Sequence, residues 1–416
     1  MAKQALCKPY KTLLPHQFNI ISLASNRVFP YDLAVNGVKM RAIARKEKRV
    51  GGVTFCPSSR DVFCNEDGLS LFRGGRLARF EVAYETWGTL SATKDNCILL
   101  LTGLSPSAHA KSSNQDPTRG WWENMIGPGC ALDTDRFFVL CVNNLGSCFG
   151  STGPASLNPE TGSLYALDFP ELSMEDLAQA AHQVVLSFGV GRLHALIGPS
   201  MGGFTALAYA LQFPQAVERI SLISSALRPQ ARAIAVHSLQ REAIINDPAW
   251  LAGRYTQTER PMAGMRLARK IGMTSYRSAA EWERRFGNSR TEFGQRTAFG
   301  VEFQVEAYLE ATSRRFVDHF DPNCYLYLSR AMDIFDIEAH GQATVAALAQ
   351  IEAKAIQIIG VESDNLFPLH QQNVLAETLE DAEKAVQFVV VDSEKGHDAF
   401  LVETDSFAPV ISEFLS

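Results

Sequence analysis

Residues 198–203 read Gly-Pro-Ser-Met-Gly-Gly, a G-x-S-x-G element with the apolar run RLHALI ahead of it and the helical text FTALAYALQF behind it. Strand, sharp turn and helix are the surroundings in which such an element presents a nucleophilic serine, because the turn is strained and only small residues fit two positions to either side. Gly198 and Gly202 meet that demand. Ser200 Oγ is therefore expected above the end of a strand. The Met201 N–H, at the start of the following helix, is expected to stabilise an oxyanion forming there. A glycine-rich phosphate turn is the rival reading, but neither G-x-x-x-x-G-K-[ST] nor G-x-G-x-x-G occurs.

Serine is a poor nucleophile near neutral pH until a positioned base takes its proton, so an acid and a histidine should follow in the order Ser, Asp, His. Asp364 follows the run AIQIIG and His397 follows AVQFVVV, each on a loop after a strand. Glu362 and Asp392 are the rival acids, and His109 and His370 the rival bases. His194 falls inside a strand, His182 and His319 in helical text, and His16 near the start. A second oxyanion donor is expected after NCILLLTGLS, from the N–H of Leu101 or Thr102.

These residues need a frame. Apolar runs at Asn96–Thr102, Arg136–Val142, Arg192–Gly198, Ala355–Gly360 and Ala385–Val391 read as strands buried on both faces, and helical periodicity follows at Ser173–Phe188 and Gly203–Phe213. Alternation of this kind predicts an α/β fold with an open, doubly wound, mostly parallel sheet. Between Pro229 and Ala346 the strand-like runs stop and Arg-rich helical text takes over. The expected organisation is a basic, poorly ordered extension over residues 1–70, a core over 71–228, a helical lid over 229–346 that roofs the sheet's carboxyl edge, and a second core segment over 347–416.

Composition narrows the setting. With 46% hydrophobic and 20% charged residues, the 416-residue chain has globular values, and its net charge of −6 offers no global basic field for nucleic acid. The first fifty residues stand at +8, with Arg41, Arg45, Lys46, Lys48 and Arg49 clustered; a solvated tail is the plain reading of such a run. Eight cysteines show no CxxC pair and no zinc spacing, so reduced thiols and no metal are expected. No run of 18 apolar residues is present, and a cytoplasmic location without membrane contact follows as the expectation.

Longer motifs are more specific. Gly120-Trp121-Trp122-Glu123, the stretch IGPGCALDTDRFFVLCVNNLGSCFGSTGPASLNP from Ile126 to Pro159, and Leu167-Asp168-Phe169-Pro170 strongly resemble the homoserine O-acyltransferase-like family of α/β-hydrolase-fold enzymes, over about Leu71 to Ser416. TGLSPSAHA, SLQREAI, TSYRSAAEWERRFG and DPNCYLYLSRAMDIFD are most like the serine O-succinyltransferase branch. The resemblance implies Ser200 as nucleophile, Asp364 as acid and His397 as base. It also implies Arg269 in LARKIG as the grip on an amino-acid carboxylate, and Asp398 as the partner of its ammonium.

It further implies an acyl-enzyme route without bound cofactor. Succinyl-CoA, or acetyl-CoA, would donate the acyl group and L-serine or L-homoserine would accept it, in cysteine or methionine biosynthesis respectively, by a homodimer. A plain esterase is the alternative chemistry. A buried succinyl carboxylate would need a cation, for which Arg241, Arg277 and His237 are the candidates.

Overall fold

The apolar runs line up side by side. In the computed structural model, which describes residues 60–256, 258–291 and 299–416 with the strand backbones at 33–35 and 38–42, one ten-stranded sheet is formed. Its strands are β1 (Leu33–Val35), β2 (Val38–Ala42), β3 (Asp61–Asn65), β4 (Phe80–Trp87), β5 (Cys97–Leu100), β6 (Phe138–Val142), β7 (Leu193–Pro199), β8 (Val217–Ile223), β9 (Ala355–Val361) and β10 (Val386–Val391). They lie in the order β1-β2-β3-β4-β6-β5-β7-β8-β9-β10. The six strands from β6 onward in that order run parallel, whereas β1 to β4 pair antiparallel and β4 meets β6 antiparallel.

Strand alternation divides the core into two. Cys97, Leu99 and Leu101 join the helices α1 (Met174–Ser187) and α2 (Met201–Gln212) in one apolar cluster, while Ile98 and Leu100 join Phe407, Ile411 and Leu415 of the C-terminal helix in another. Successive side chains point to opposite faces, so a run such as CILL is buried throughout only when helices cover both. Among the described residues no helix is long and apolar enough to cross a membrane.

The lid text between β8 and β9 folds as α3 (Ala231–Ile245), α4 (Met262–Tyr276), α5 (Ala279–Phe286), α6 (Gln304–Val317), α7 (Pro322–Asp333) and α8 (Thr344–Ala349). Gly264 lets α4 close onto α3, since a Cβ there would lie 2.3 Å from the Ala243 carbonyl oxygen. Gln240 of α3 then donates to the Ala268 carbonyl at 2.9 Å.

Three departures from the sequence reading have simple causes. β4 and β8 carry Glu81, Glu85, Glu218 and Arg219 among their apolar residues, which masks them as core strands. The strand text AVQFVVV is not buried on both faces, because β10 ends the sheet and leaves Val390 45% exposed. Pairing begins ahead of residue 71, with Phe63 of β3 buried against Phe80. The clustered Arg45, Lys46, Lys48 and Arg49, like the rest of the supposed extension before residue 60 apart from the two strand backbones, lie outside the described residues.

Candidate active site

β7 stops at Pro199 and α2 starts at Met201, so Ser200 alone reverses the chain, at φ 55° and ψ −123°. A side chain rarely tolerates that conformation, and here the surroundings enforce it. The Ser200 N–H is tied to the Ile223 carbonyl at 2.8 Å. A Cβ on Gly198 would sit 2.2 Å from the Gly202 carbonyl oxygen, and one on Gly203 would sit 2.3 Å from Ser225 Oγ. Gly198→Ala is therefore expected to cost at least about 2 kcal/mol, as forced overpacking does. The measurement is the urea midpoint, which should fall at unchanged slope; an unmoved midpoint would mean that the turn relaxes freely.

The three catalytic candidates meet. Ser200 Oγ lies 2.8 Å from His397 Nε2, and His397 Nδ1 lies 2.8 Å from Asp364 Oδ2. The other oxygen, Asp364 Oδ1, accepts the N–H groups of Leu366 and Phe367 at 2.8 and 2.9 Å, which fixes the carboxylate. Asp364 and His397 are only 3% and 4% exposed, so water does not screen the pair. Burial pulls the His397 pKa down, but the Asp364 and Asp398 carboxylates outweigh it and hold the imidazole above its ordinary value. The constellation suits nucleophilic acyl chemistry, with His397 taking the serine proton and Asp364 steadying the imidazolium.

The rivals fall away by position. Glu362, Asp392 and His370 are exposed on the surface. His109 is buried, but in a separate group with Glu85 and Thr118.

The two expected oxyanion donors differ in their surroundings. The Met201 N–H makes no hydrogen bond to a described residue and opens α2 beside the nucleophile. The Leu101 N–H is not free, because it continues the β5–β7 ladder to the Ile197 carbonyl at 2.9 Å. The next residues along that loop, Thr102, Gly103 and Leu104, have no such bond. Gly103 and Leu104 line the cavity, and a Cβ on Gly103 would be 3.9 Å from Ser200 Cβ.

Above Ser200 is a cavity of about 120 Å³, small against the roughly 300–1,000 Å³ of pockets for drug-sized ligands. Arg269 and Asp398 both border it. Arg269 stacks over Phe316 and Tyr276, with its guanidinium carbon 4.3 and 5.7 Å from the ring centres, and its Nε is buried without a hydrogen-bond partner. A planar carboxylate would complete it. Asp398 is bridged by Arg277 Nε at 3.2 Å, and burial raises its pKa against the pull of Arg277 and His397.

Of the three cations suggested for a second carboxylate, Arg241 is bound to Asp333 Oδ2 at 2.6 Å, and Arg277 to Glu281 at 3.0 Å and to Asp398. His237 borders the cavity with Nδ1 on Asp333 Oδ1 at 2.6 Å. Tyr276 and Trp121 also border it, and neither was picked out from the sequence as a cavity residue. Nor was Asp333, whose burial between His237 and Arg241 depends on α3 meeting α7 and leaves no local pattern.

Comparison with known proteins gives the chain a family. Residues 96–404 match the model of the alpha/beta hydrolase fold family. The chain is 52% identical to a serine O-succinyltransferase of Litchfieldella anticariensis over 351 residues, 84% of this chain and 96% of that one. Among solved structures it is similar to a homoserine O-acetyltransferase from Bacillus anthracis, with a TM-score of 0.79 and 29% identity over 86% of this chain and 97% of that one. It is equally similar to esterase E22, with a TM-score of 0.79 and 28% identity over 86% and 99%.

Proposed function

Because the chain belongs to the alpha/beta hydrolase fold family, within its homoserine O-acyltransferase-like group, we propose that this acyltransferase moves a succinyl group from succinyl-CoA to the hydroxyl of L-serine. The observation that carries this reading is a triad opening onto a small cavity where Arg269 has no carboxylate partner among the described residues. An esterase needs no such group, whereas a free amino acid brings a carboxylate to it.

In the first half-reaction Ser200 Oγ attacks the thioester carbonyl while His397 takes its proton. The Met201 N–H, with one N–H from the loop after β5, holds the oxyanion. His397 then protonates the departing thiolate, leaving an ester on Ser200. In the second half-reaction the acceptor hydroxyl gives its proton to His397 and attacks that ester, with Arg269 on the acceptor's carboxylate; the bond from the acyl carbon to Ser200 Oγ then breaks, and His397 returns the proton to Ser200 Oγ. Asp398 would receive the acceptor's ammonium, sharing its charge with Arg277. The product carries a leaving group on its β-carbon, which fits a role in cysteine biosynthesis. Homoserine is the alternative acceptor, since one methylene is worth only ~1–3 kcal/mol in a pocket.

The deciding experiment incubates the purified protein with each pairing of serine or homoserine and succinyl-CoA or acetyl-CoA, and identifies the product by mass. O-Succinylserine as the main product is expected. Equal thioester loss with and without amino acid would replace the proposal by hydrolysis, the chemistry that esterase E22's name denotes.

Donor choice gives a separate prediction. A succinyl ester buries a second carboxylate, and an unpaired buried charge costs several kcal/mol. His237 is the candidate best placed to answer it, because of the three it alone borders the cavity, with its Nδ1 held by Asp333. Succinyl-CoA is expected to exceed acetyl-CoA by at least about tenfold in kcat/KM, equivalent to about 1.4 kcal/mol. His237→Ala should narrow that gap by slowing the succinyl reaction alone. Equal constants for the two donors in the unaltered protein would shift the assignment to acetyl transfer.

A further inference from the structure

The roof of the cavity is a long irregular segment, and its anchorage is a buried charge cluster that takes no part in the steps above. Ser105, Pro106 and Trp121 of this segment face the space over Ser200. Trp121 is carried by its neighbours, since its Nε1 donates to the Ser107 carbonyl at 2.9 Å and its N–H to the His109 carbonyl at 3.3 Å. Ser107 and His109 are in turn tied to the sheet. Arg60 donates through Nη2 to Ser107 Oγ at 2.9 Å and through Nε to Glu85 Oε1 at 2.8 Å. Glu85, on β4, offers its second oxygen to His109 Nδ1 at 2.8 Å.

The other side of the ring decides its charge. His109 Nε2 faces the Thr118 carbonyl oxygen at 2.8 Å, and a carbonyl can only accept. The Thr118 hydroxyl, 3.2 Å away, donates to Asp116 Oδ1 at 2.6 Å and so also turns a lone pair to the ring. With a carboxylate at one nitrogen and a carbonyl at the other, both nitrogens must carry protons. A neutral ring would turn a lone pair toward one of these acceptors inside a buried site.

We propose that His109, held as an imidazolium between Glu85 and Thr118, is a positioning residue that clamps the loop roofing Ser200 onto the sheet, and that its deprotonation slackens the site. The charged or titratable groups around it are Arg60, Glu85 and Asp116, with Asp61 and Cys141 close to Glu85. Burial pulls the His109 pKa down, but the hydrogen bond to Glu85 and the neighbouring carboxylates raise it overall. Since the folded value lies above the unfolded one, the clamp contributes fully below the ordinary histidine pKa and is lost as pH rises through the raised one. Activity thus gains an alkaline limit from His109, distinct from the acid limit set when His397 is protonated and cannot act as base.

The inference rests on the acyl-transfer reading only for its activity readout. The first measurement is therefore independent of substrate: imidazole ¹⁵N spectra of the full chain across pH, with His109 assigned by loss of its signals in His109→Asn. His109 is expected to be doubly protonated at pH 7 and to titrate above a free histidine. A single-proton tautomer at pH 7 would overturn the proposal; if His109→Asn misfolds, through-space contacts between the ring and Thr118 assign the signals in the unaltered chain.

The second measurement is the pH profile of kcat/KM with an activated p-nitrophenyl ester that acylates Ser200. In Glu85→Gln, nearly the same shape without the charge, the alkaline limb should move to lower pH, with the acid limb unmoved. A merely structural role would lower the whole profile without moving that limb, and that result would also overturn the proposal. Failure of serine succinylation in the unaltered protein, with the ¹⁵N result as expected, would defeat the function reading and leave the clamp standing.

Discussion

Replacing Ser200 with alanine is expected to abolish acyl transfer, by about a million-fold where nucleophile and base act as one unit. Every route in the proposed reaction passes through the ester on Ser200 Oγ. His397 would keep its bond to Asp364 yet have no hydroxyl to activate. Intact-protein mass after mixing with succinyl-CoA should show an adduct on the unaltered chain and none on the variant. Alanine retains the backbone that the turn needs, so the thermal midpoint should change little. Transfer retained within a few-fold would mean that the acceptor attacks the thioester directly, and the two-step mechanism would fail.

Asp364→Asn is expected to cost about 10⁴-fold in turnover with the fold intact. The side-chain oxygen of asparagine can keep the bonds to Leu366 and Phe367 that now hold Oδ1. Its NH₂ group is then directed at His397 Nδ1, which must become an acceptor. The ring proton moves to Nε2, the atom that should receive the serine proton, and the base is blocked. Glu362→Gln serves as control, because Glu362 is exposed and its loss should leave turnover within about twofold, as surface changes usually do. A larger loss from Glu362→Gln than from Asp364→Asn would mean that the acid is misassigned.

The triad was legible because each member follows an apolar run at a strand's carboxyl end, and the sheet brings those ends together whatever the lid does. The second oxyanion donor was not legible. Whether the Leu101 N–H points to a neighbouring strand or into the site depends on the register Leu100↔Ile197, and register is a property of two segments. The same holds for charge clusters. His109 stood in the sequence as a rival base, and only the contacts to Glu85, 24 positions earlier, and to the Thr118 carbonyl give it a different task. β3 escaped notice because DVFCN is short, outlying and only partly buried, so it lacks the solid apolar stretch that marks β5 and β6.

The placing of the lid also bears on how such a protein changes over generations. It enters the chain between β8 and β9, whose pairing Ile220↔Ile356 closes the whole insertion as one loop. Closure entropy grows only with the logarithm of loop length, so even a doubling would cost about 0.6 kcal/mol. Arg269, His237 and Tyr276 all sit on the inserted helices, whereas Ser200, Asp364 and His397 sit on the loops of the sheet. Drift in the inserted segment can therefore reshape the wall of the cavity while Ser200, Asp364 and His397 keep their places, a division of labour that lets one scaffold host transferases and esterases alike.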